Sequence, residues 1–351
     1  MTRIWWIFLL FLYGCSNEIT ADVETSKEFI EIPIEYAEHF KLNVTDDGYE
    51  LIILNPNTGE IDEQFIIDPT IDRKIIGLTT TLNGMLNALS ASDQLVGVTS
   101  MQYVYDSEII ERFNKNEITE FGDETTFSVE KIIASTANTI FYSGFGDDFP
   151  HRDKLEKFNF SIFPIYDWRE QHPLGKAEWI KVVGILVNRE QEALDYFATI
   201  EQEYLRISAI AQSANTRPSV VSGGVYGDIW FAPSGDSYMA KLINDAGANY
   251  VYHDQEGTGS IERSIEQILL DNQHTNFWIN PGFMTKASVL ETNPHSDHLE
   301  AFDNVYCYSP NINKFWENGA IEPHLVLSDL IHIFHPEIAE IDSFHFYEKI
   351  D

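Results

Sequence analysis

The apolar positions of the chain fall into three textures. In the first, Phe29-Ile-Glu-Ile-Pro-Ile-Glu-Tyr36 alternates apolar and polar residues, the two-residue period of a strand. Tyr49-Glu-Leu-Ile-Ile-Leu54 predicts a second strand, and Asn55-Pro-Asn-Thr-Gly59 supplies turn chemistry. Residues 28–69 are therefore expected to form a small β element. From Lys74 onward, short apolar runs (Lys74 to Leu78, Gln94 to Val98, Thr139 to Ser143, Phe160 to Tyr166) alternate with helical spacing at Thr81 to Leu89 and from Ser128 to Ala134. Strands and helices in alternation with short links predict an α/β unit with a parallel sheet.

The third texture is helical throughout. Lys176 to Val187 predicts one helix and Asn188 to Gln212 a longer one, with Ala193, Phe197, Ile200, Tyr204 and Ile207 on one stripe and Asn188 as its cap. A helix of that length reaches roughly 30 Å, enough to join two lobes stiffly. After Thr216 the α/β texture resumes. Strands are expected at Ser219 to Ser222, Asn249 to Tyr252, Asn276 to Ile279 and Asn304 to Tyr308. Helices are expected at Tyr238 to Ala246, from Ser264, and at Pro323 to Phe334 before Pro336.

The two α/β stretches echo each other at an offset of 136: Ser128-Val-Glu130-Lys-Ile132 against Ser264-Ile-Glu266-Gln-Ile268, with Thr139, Phe141 and Gly146 falling on Thr275, Phe277 and Gly282. Each block reads as a Ser cap, a Glu in the first helical turn, a helix, a strand and a Gly-containing loop. The expected architecture is two Rossmann-like α/β lobes with central parallel sheets, joined by one long rigid helix. The division is 28–69 for the β element, 70–173 and 216–351 for the lobes, and 174–215 for the connecting helices.

The amino end changes the picture of where this fold works. Arg3 precedes ten apolar residues, Ile4 to Tyr13, which span only about half of a bilayer core. That length fits the apolar stretch of a signal peptide, 1–14. Leu12-Tyr13-Gly14-Cys15, followed by polar residues, resembles the bacterial lipoprotein signal. The resemblance implies cleavage before Cys15, acylation of Cys15, a tether over 15–27, and a chain exported and held at the membrane, facing the periplasm or cell surface. The net charge of −34 repels phosphate backbones and excludes a nucleic-acid partner. Two cysteines, Cys15 and Cys307, exclude a disulfide framework or a cysteine-ligated cluster.

Gln94-Leu-Val-Gly-Val-Thr-Ser100, Phe127-Ser-Val-Glu-Lys-Ile-Ile133, the long helix and Ser264-Ile-Glu-Gln-Ile268, in that order and symmetry, resemble the class III substrate-binding proteins of bacterial ABC importers, which bind ferric siderophores, haem or cobalamin. Tyr166 to Trp179 and Phe315-Trp-Glu-Asn-Gly319 are similar to segments of its lipoprotein members. Ser135-Thr-Ala-Asn138 stands where the family often carries Lys-Pro-Asp. The resemblance implies a monomeric receptor with no enzymatic activity and no cofactor of its own. Its cargo would be a metal chelate, an iron complex first and cobalamin as the alternative, and its partners a membrane permease with its ATPase. It further implies that Glu130 and Glu266, one per lobe, dock onto that permease.

Loops at strand ends line the cleft of such folds. The candidate ligand contacts are Met101, Tyr103 and Tyr105; Phe145; Trp168 and Arg169; Tyr226 and Trp230; Phe283; and Lys314 with Trp316. Aromatic faces suit a large planar or greasy chelate, and Arg or Lys suits its carboxylates. The alternatives are an enzyme on the same bilobal fold, or a surface trap with no permease. His295/His298 and His332/His335 lack a companion metal motif, Gly223-Gly224 reads as a sharp turn or close backbone approach, and Cys307 reads as a core thiol.

Overall fold

The computed structural model describes residues 30–144, 148–226, 229–282, 302–308 and 315–350. The signal segment, the tether and the candidates Cys15, Phe145, Phe283 and Lys314 lie outside the described residues, as do His295 and His298.

An antiparallel meander comes first: β1 (Ile30–Ile32), β2 (Phe40–Thr45), β3 (Gly48–Leu54) and β4 (Ile61–Ile67), in that spatial order. The alternation at Phe29 to Tyr36 predicts a longer first strand than the three residues found. Pro33 has no N–H for the ladder. Beyond it, the backbone N–H groups of residues 35–39 leave the sheet for two buried carboxylates. Glu35, Tyr36 and Ala37 donate to Glu178 at 2.9, 2.8 and 2.8 Å, and Glu38 and His39 donate to Glu170 at 2.8 and 3.3 Å. This strap fastens the meander to the helices that follow the first lobe.

The first lobe contains β5 (Ile75–Gly77), α1 (Thr81–Ala88), β6 (Leu95–Val98), α2 (Ser107–Asn114), β7 (Thr119–Glu120), α3 (Val129–Ile133), β8 (Thr139–Tyr142), α4 (Arg152–Lys157) and β9 (Ser161–Pro164). Its five strands are parallel, in the order β7-β6-β5-β8-β9. Both faces are covered, so the strands are apolar on alternate residues in both directions. Ile140 and Tyr142 pack with Ile132 and Leu155 on one side, while Phe141 joins the main core on the other.

The connecting region, expected as two helices, holds three: α5 (Pro173–Glu178), α6 (Ile180–Leu186) and the long α7 (Glu190–Gln212). The long helix buries the expected stripe of Ala193, Phe197, Ile200, Tyr204 and Ile207. Asn188 is not its cap. It adopts a left-handed φ of 59° in the turn leaving α6, and Arg189 occupies the cap position.

The second lobe contains β10 (Ser219–Ser222), β11 (Gly224–Tyr226), β12 (Ile229–Pro233), α8 (Tyr238–Asp245), β13 (Asn249–Tyr250), β14 (Ser260–Ser264), α9 (Ile265–Asp271), β15 (Phe277–Ile279), β16 (Val305–Tyr308), α10 (Phe315–Asn318), α11 (Pro323–Phe334) and β17 (Tyr347–Lys349). Its main sheet runs β13-β10-β15-β16-β17, parallel except for the last edge strand. A separate three-stranded sheet, β11-β12-β14, was not expected from the sequence. Gly223 lets it form: with φ at +108°, a Cβ there would lie 2.0 Å from the Phe231 carbonyl oxygen.

The echo at 136 residues is structural. Ser128 and Ser264 cap α3 and α9, accepting the N–H of Lys131 at 3.3 Å and of Gln267 at 3.2 Å. The strand after each helix, β8 or β15, pairs in parallel with the first strand of its lobe, β5 or β10. The architecture is the expected bilobal α/β fold.

Candidate functional site

A helix that precedes a parallel strand starts at the carboxyl edge of the sheet. The first turns of α3 and α9, and the loops leaving each strand, therefore share that edge in their lobes. On the first lobe, Trp168 and Arg169 form the turn after β9. The Trp168 indole N–H donates to the Ser143 carbonyl at 2.7 Å, and the Arg169 guanidinium lies 4.9 Å from the Trp168 ring centroid. The β3–β4 turn reaches the same edge. Asn57 accepts a hydrogen bond from Arg169, and Asp62 accepts one from the Tyr166 hydroxyl at 2.8 Å. Met101, Tyr103 and Tyr105 follow β6, with Tyr103 51% exposed and the Met101 N–H donating to Glu120 at 3.1 Å.

On the second lobe the candidates separate. Trp316 is 47% exposed and meets Tyr308 edge-on, with centroids 5.1 Å apart. Tyr226, at the end of β11, is 84% exposed. Trp230 is a correction: it is fully buried, its ring 5.0 Å from that of Trp278, and its indole N–H points at the Ser222 carbonyl. The run Ile229-Trp-Phe-Ala is itself strand β12, whose alternation turns Trp230 into the core. It presents no surface to a ligand in this arrangement.

Residues that the sequence did not point to complete the seam between the lobes. Lys176 of α5 lies 3.4 Å from the Asp167 carboxylate and 4.4 Å from the ring centroid of Tyr238 on α8. Asp167 is wholly buried, and desolvation pushes its carboxyl up against the opposing pull of Lys176. Lys176, Tyr238, Thr81, Phe315 and Trp316 surround a small hollow of about 40 Å³. A cavity of about 490 Å³ opens elsewhere on the seam, between Gln171 and His172 of the first lobe and Asp236, Lys241 and His253 of the second; none of the candidate aromatic residues lines it. The local signal for Phe315 was available, since it adjoins Trp316 in sequence, and Tyr308 closes the strand that precedes them. Nothing local marked Lys176.

Glu130 and Glu266 both project from first helical turns and are exposed. Glu130 pairs with Lys154 at 2.9 Å, which holds its carboxyl below the usual range. Cys307 is buried in β16, and burial pushes its thiol up to about 11. His332 and His335 place ring nitrogens against the carbonyls of Ile341 and Gly247. Among the described residues no helix is long and apolar enough to cross a membrane.

Residues 75–309 match the family described as periplasmic binding protein. An uncharacterized lipoprotein of Methanocaldococcus jannaschii is 24% identical, over 95% of this chain and 89% of its own length. A periplasmic heme binding protein from Pseudomonas aeruginosa superposes with a TM-score of 0.62 at 16% identity, covering 80% of this chain and 99% of that one. A protein of an ABC-type Fe3+-hydroxamate transport system from Saccharomonospora viridis gives 0.56 at 18% identity, with 80% and 98% covered. With two parallel-sheet lobes, a helical connector and a matched span of two-thirds of its length, the chain belongs to the periplasmic binding protein family, a family of solute carriers rather than enzymes.

Proposed function

We propose that the chain is the substrate-binding component of an ABC importer, capturing an iron complex, a ferric siderophore or haem, in the cleft and delivering it to the permease. The observation that carries this reading is the aromatic and cationic seam. Trp316 and Tyr308 face it from one lobe, and the Trp168–Arg169 stack stands on the carboxyl edge of the other. Aromatic faces suit a flat or greasy chelate, and a guanidinium suits its carboxylates. The hollow beneath Trp316 is water-sized, so a chelate would lie over it. Haem and Fe3+-hydroxamate are also the ligands for which the two structural neighbours are named.

The remaining parts of the reading concern the membrane. Cys15 would carry the lipid anchor, and Glu130 and Glu266, at matching places on the two lobes, would engage basic pockets of the permease. The test is a tryptophan-quenching titration of the mature chain with haemin, with ferrioxamine B and with cyanocobalamin. Saturation by one of the two iron complexes is expected, and Trp316→Ala should weaken it roughly tenfold or more. Saturation by cyanocobalamin alone would select the corrinoid alternative. In cells, Glu130→Ala with Glu266→Ala should abolish uptake while leaving binding intact; uptake that persists removes the docking roles.

A further inference from the structure

The helical turn α10 holds three consecutive side chains in three different places. Phe315 is buried against the second lobe, stacked on Tyr308 with centroids 4.2 Å apart and planes 2° from parallel, and edge-on to Phe346 and Tyr347. Glu317 is buried against the first lobe. Its Oε1 accepts the Tyr105 N–H at 3.1 Å and the Asn83 side-chain amide at 3.2 Å. Trp316 stands between them, half exposed at the seam. Its own carbonyl accepts from the Thr80 hydroxyl at 3.2 Å, again on the first lobe. The α1 backbone comes so close that a Cβ on Gly84 would lie 2.1 Å from the Glu317 carbonyl oxygen.

A carboxyl is an expensive way to fill that space. Among the described residues no cation pairs with Glu317, and its Oε2 is buried without a hydrogen-bond partner. Burial pushes the carboxyl up, helped by the neighbouring Asp106 and opposed by Asn83 and the amides of Tyr105 and Asp106. An apolar side chain of equal length would pack there at lower cost, but it could not select Tyr105 and Asn83 as partners.

We propose that Glu317 is a positioning residue: it clips α10, an element of the second lobe, onto the first, and so fixes the pose of Trp316 and the spacing of the lobes. The part concerning ligand affinity rests on the reading of Trp316 as a ligand contact; the part concerning its pose does not.

The test uses the mature chain labelled with 5-fluorotryptophan, the Trp316 resonance being assigned by its loss in Trp316→Phe. Glu317→Gln keeps the Oε1 acceptor, while Glu317→Met keeps the volume and loses it. Selection by hydrogen bonding predicts that Gln preserves the ligand-free Trp316 fluorine signal and Met shifts or broadens it. Simple space-filling predicts that both variants preserve it. Haemin and ferrioxamine B titrations should show about tenfold weaker binding for Met and near-wild-type binding for Gln, the effect of losing a buried hydrogen-bond acceptor. A Met variant with unchanged signal and unchanged affinity overturns the proposal. Should that variant fail to fold, Thr80→Val, which cuts the exposed bond to the Trp316 carbonyl, must move the same resonance, and an unmoved resonance overturns the proposal equally. If wild type binds neither iron complex, the functional reading fails while the fluorine signal still decides the positioning.

Discussion

Replacing Glu178 by Ala should release the strap that holds the meander to the connector. The carboxylate is fully buried and accepts three backbone N–H groups as well as the Lys181 ammonium at 2.6 Å. Each N–H left buried without a partner costs about 1–3 kcal/mol. A buried cation that loses its carboxylate costs about 3–5 kcal/mol. Together these rival the whole stability of an ordinary domain, about 5–15 kcal/mol. The cheaper response is for residues 35–37 to lift and hydrate. Lys181 stays buried, keeping the Pro33 carbonyl at 2.9 Å and the Phe197 ring as its remaining neighbours. The expected loss is therefore about 3–5 kcal/mol, read as a lower urea midpoint. In hydrogen exchange the amides of Glu35, Tyr36 and Ala37 should open while those of β10 and β15 stay protected. Glu178→Gln, which keeps one acceptor and drops the charge, should fall between. If Glu178→Ala unfolds within about 1 kcal/mol of wild type and those three amides keep their protection, the strap is held by something other than this carboxylate.

Acid should weaken the fold through two half-buried histidines. Burial lowers His172 and His324 from 6.5 to about 4, so between those values the unfolded chain binds protons that the folded chain refuses. Their contribution is complete above pH 6.5 and fades as pH falls towards 4; the double variant His172→Asn/His324→Gln should take up fewer protons on unfolding at pH 5, and an unchanged uptake refutes this. Trp230→Ala should cost about 3–5 kcal/mol of stability by opening a cavity beside Trp278, with little change in ligand affinity; a folded variant that binds poorly would return Trp230 to the cleft. Gly84→Ala should force α10 off α1, lowering stability by about 1–3 kcal/mol and moving the Trp316 fluorine signal, whereas an unmoved signal would show that the helices separate without consequence.

The parallel strands were legible because both of their faces are buried, which leaves apolar runs such as Lys74 to Leu78 and Thr139 to Ser143. The caps at Ser128 and Ser264 were legible because a Ser before a helical Glu has a local meaning. The β11-β12-β14 sheet was not, since β14 is polar and β12 ends at Pro233. Trp230 was misplaced for the same reason: without the strand, an aromatic residue after Ser222 looks like a loop contact. Glu317 and Lys176 read locally as ordinary solvated charges. Their roles depend on partners such as Asn83 and Tyr238, brought to them by the fold from far along the chain.

The strap also decides how the molecule would bear tension at its amino end. β1 is joined to β2 over only three residues and would unzip from the edge, one pair at a time. A pull would then meet five N–H groups seated on Glu178 and Glu170, which must break nearly together rather than in sequence. Load applied at that end would in this way be delivered to the connector helices, and the meander's β2–β4 core would be spared.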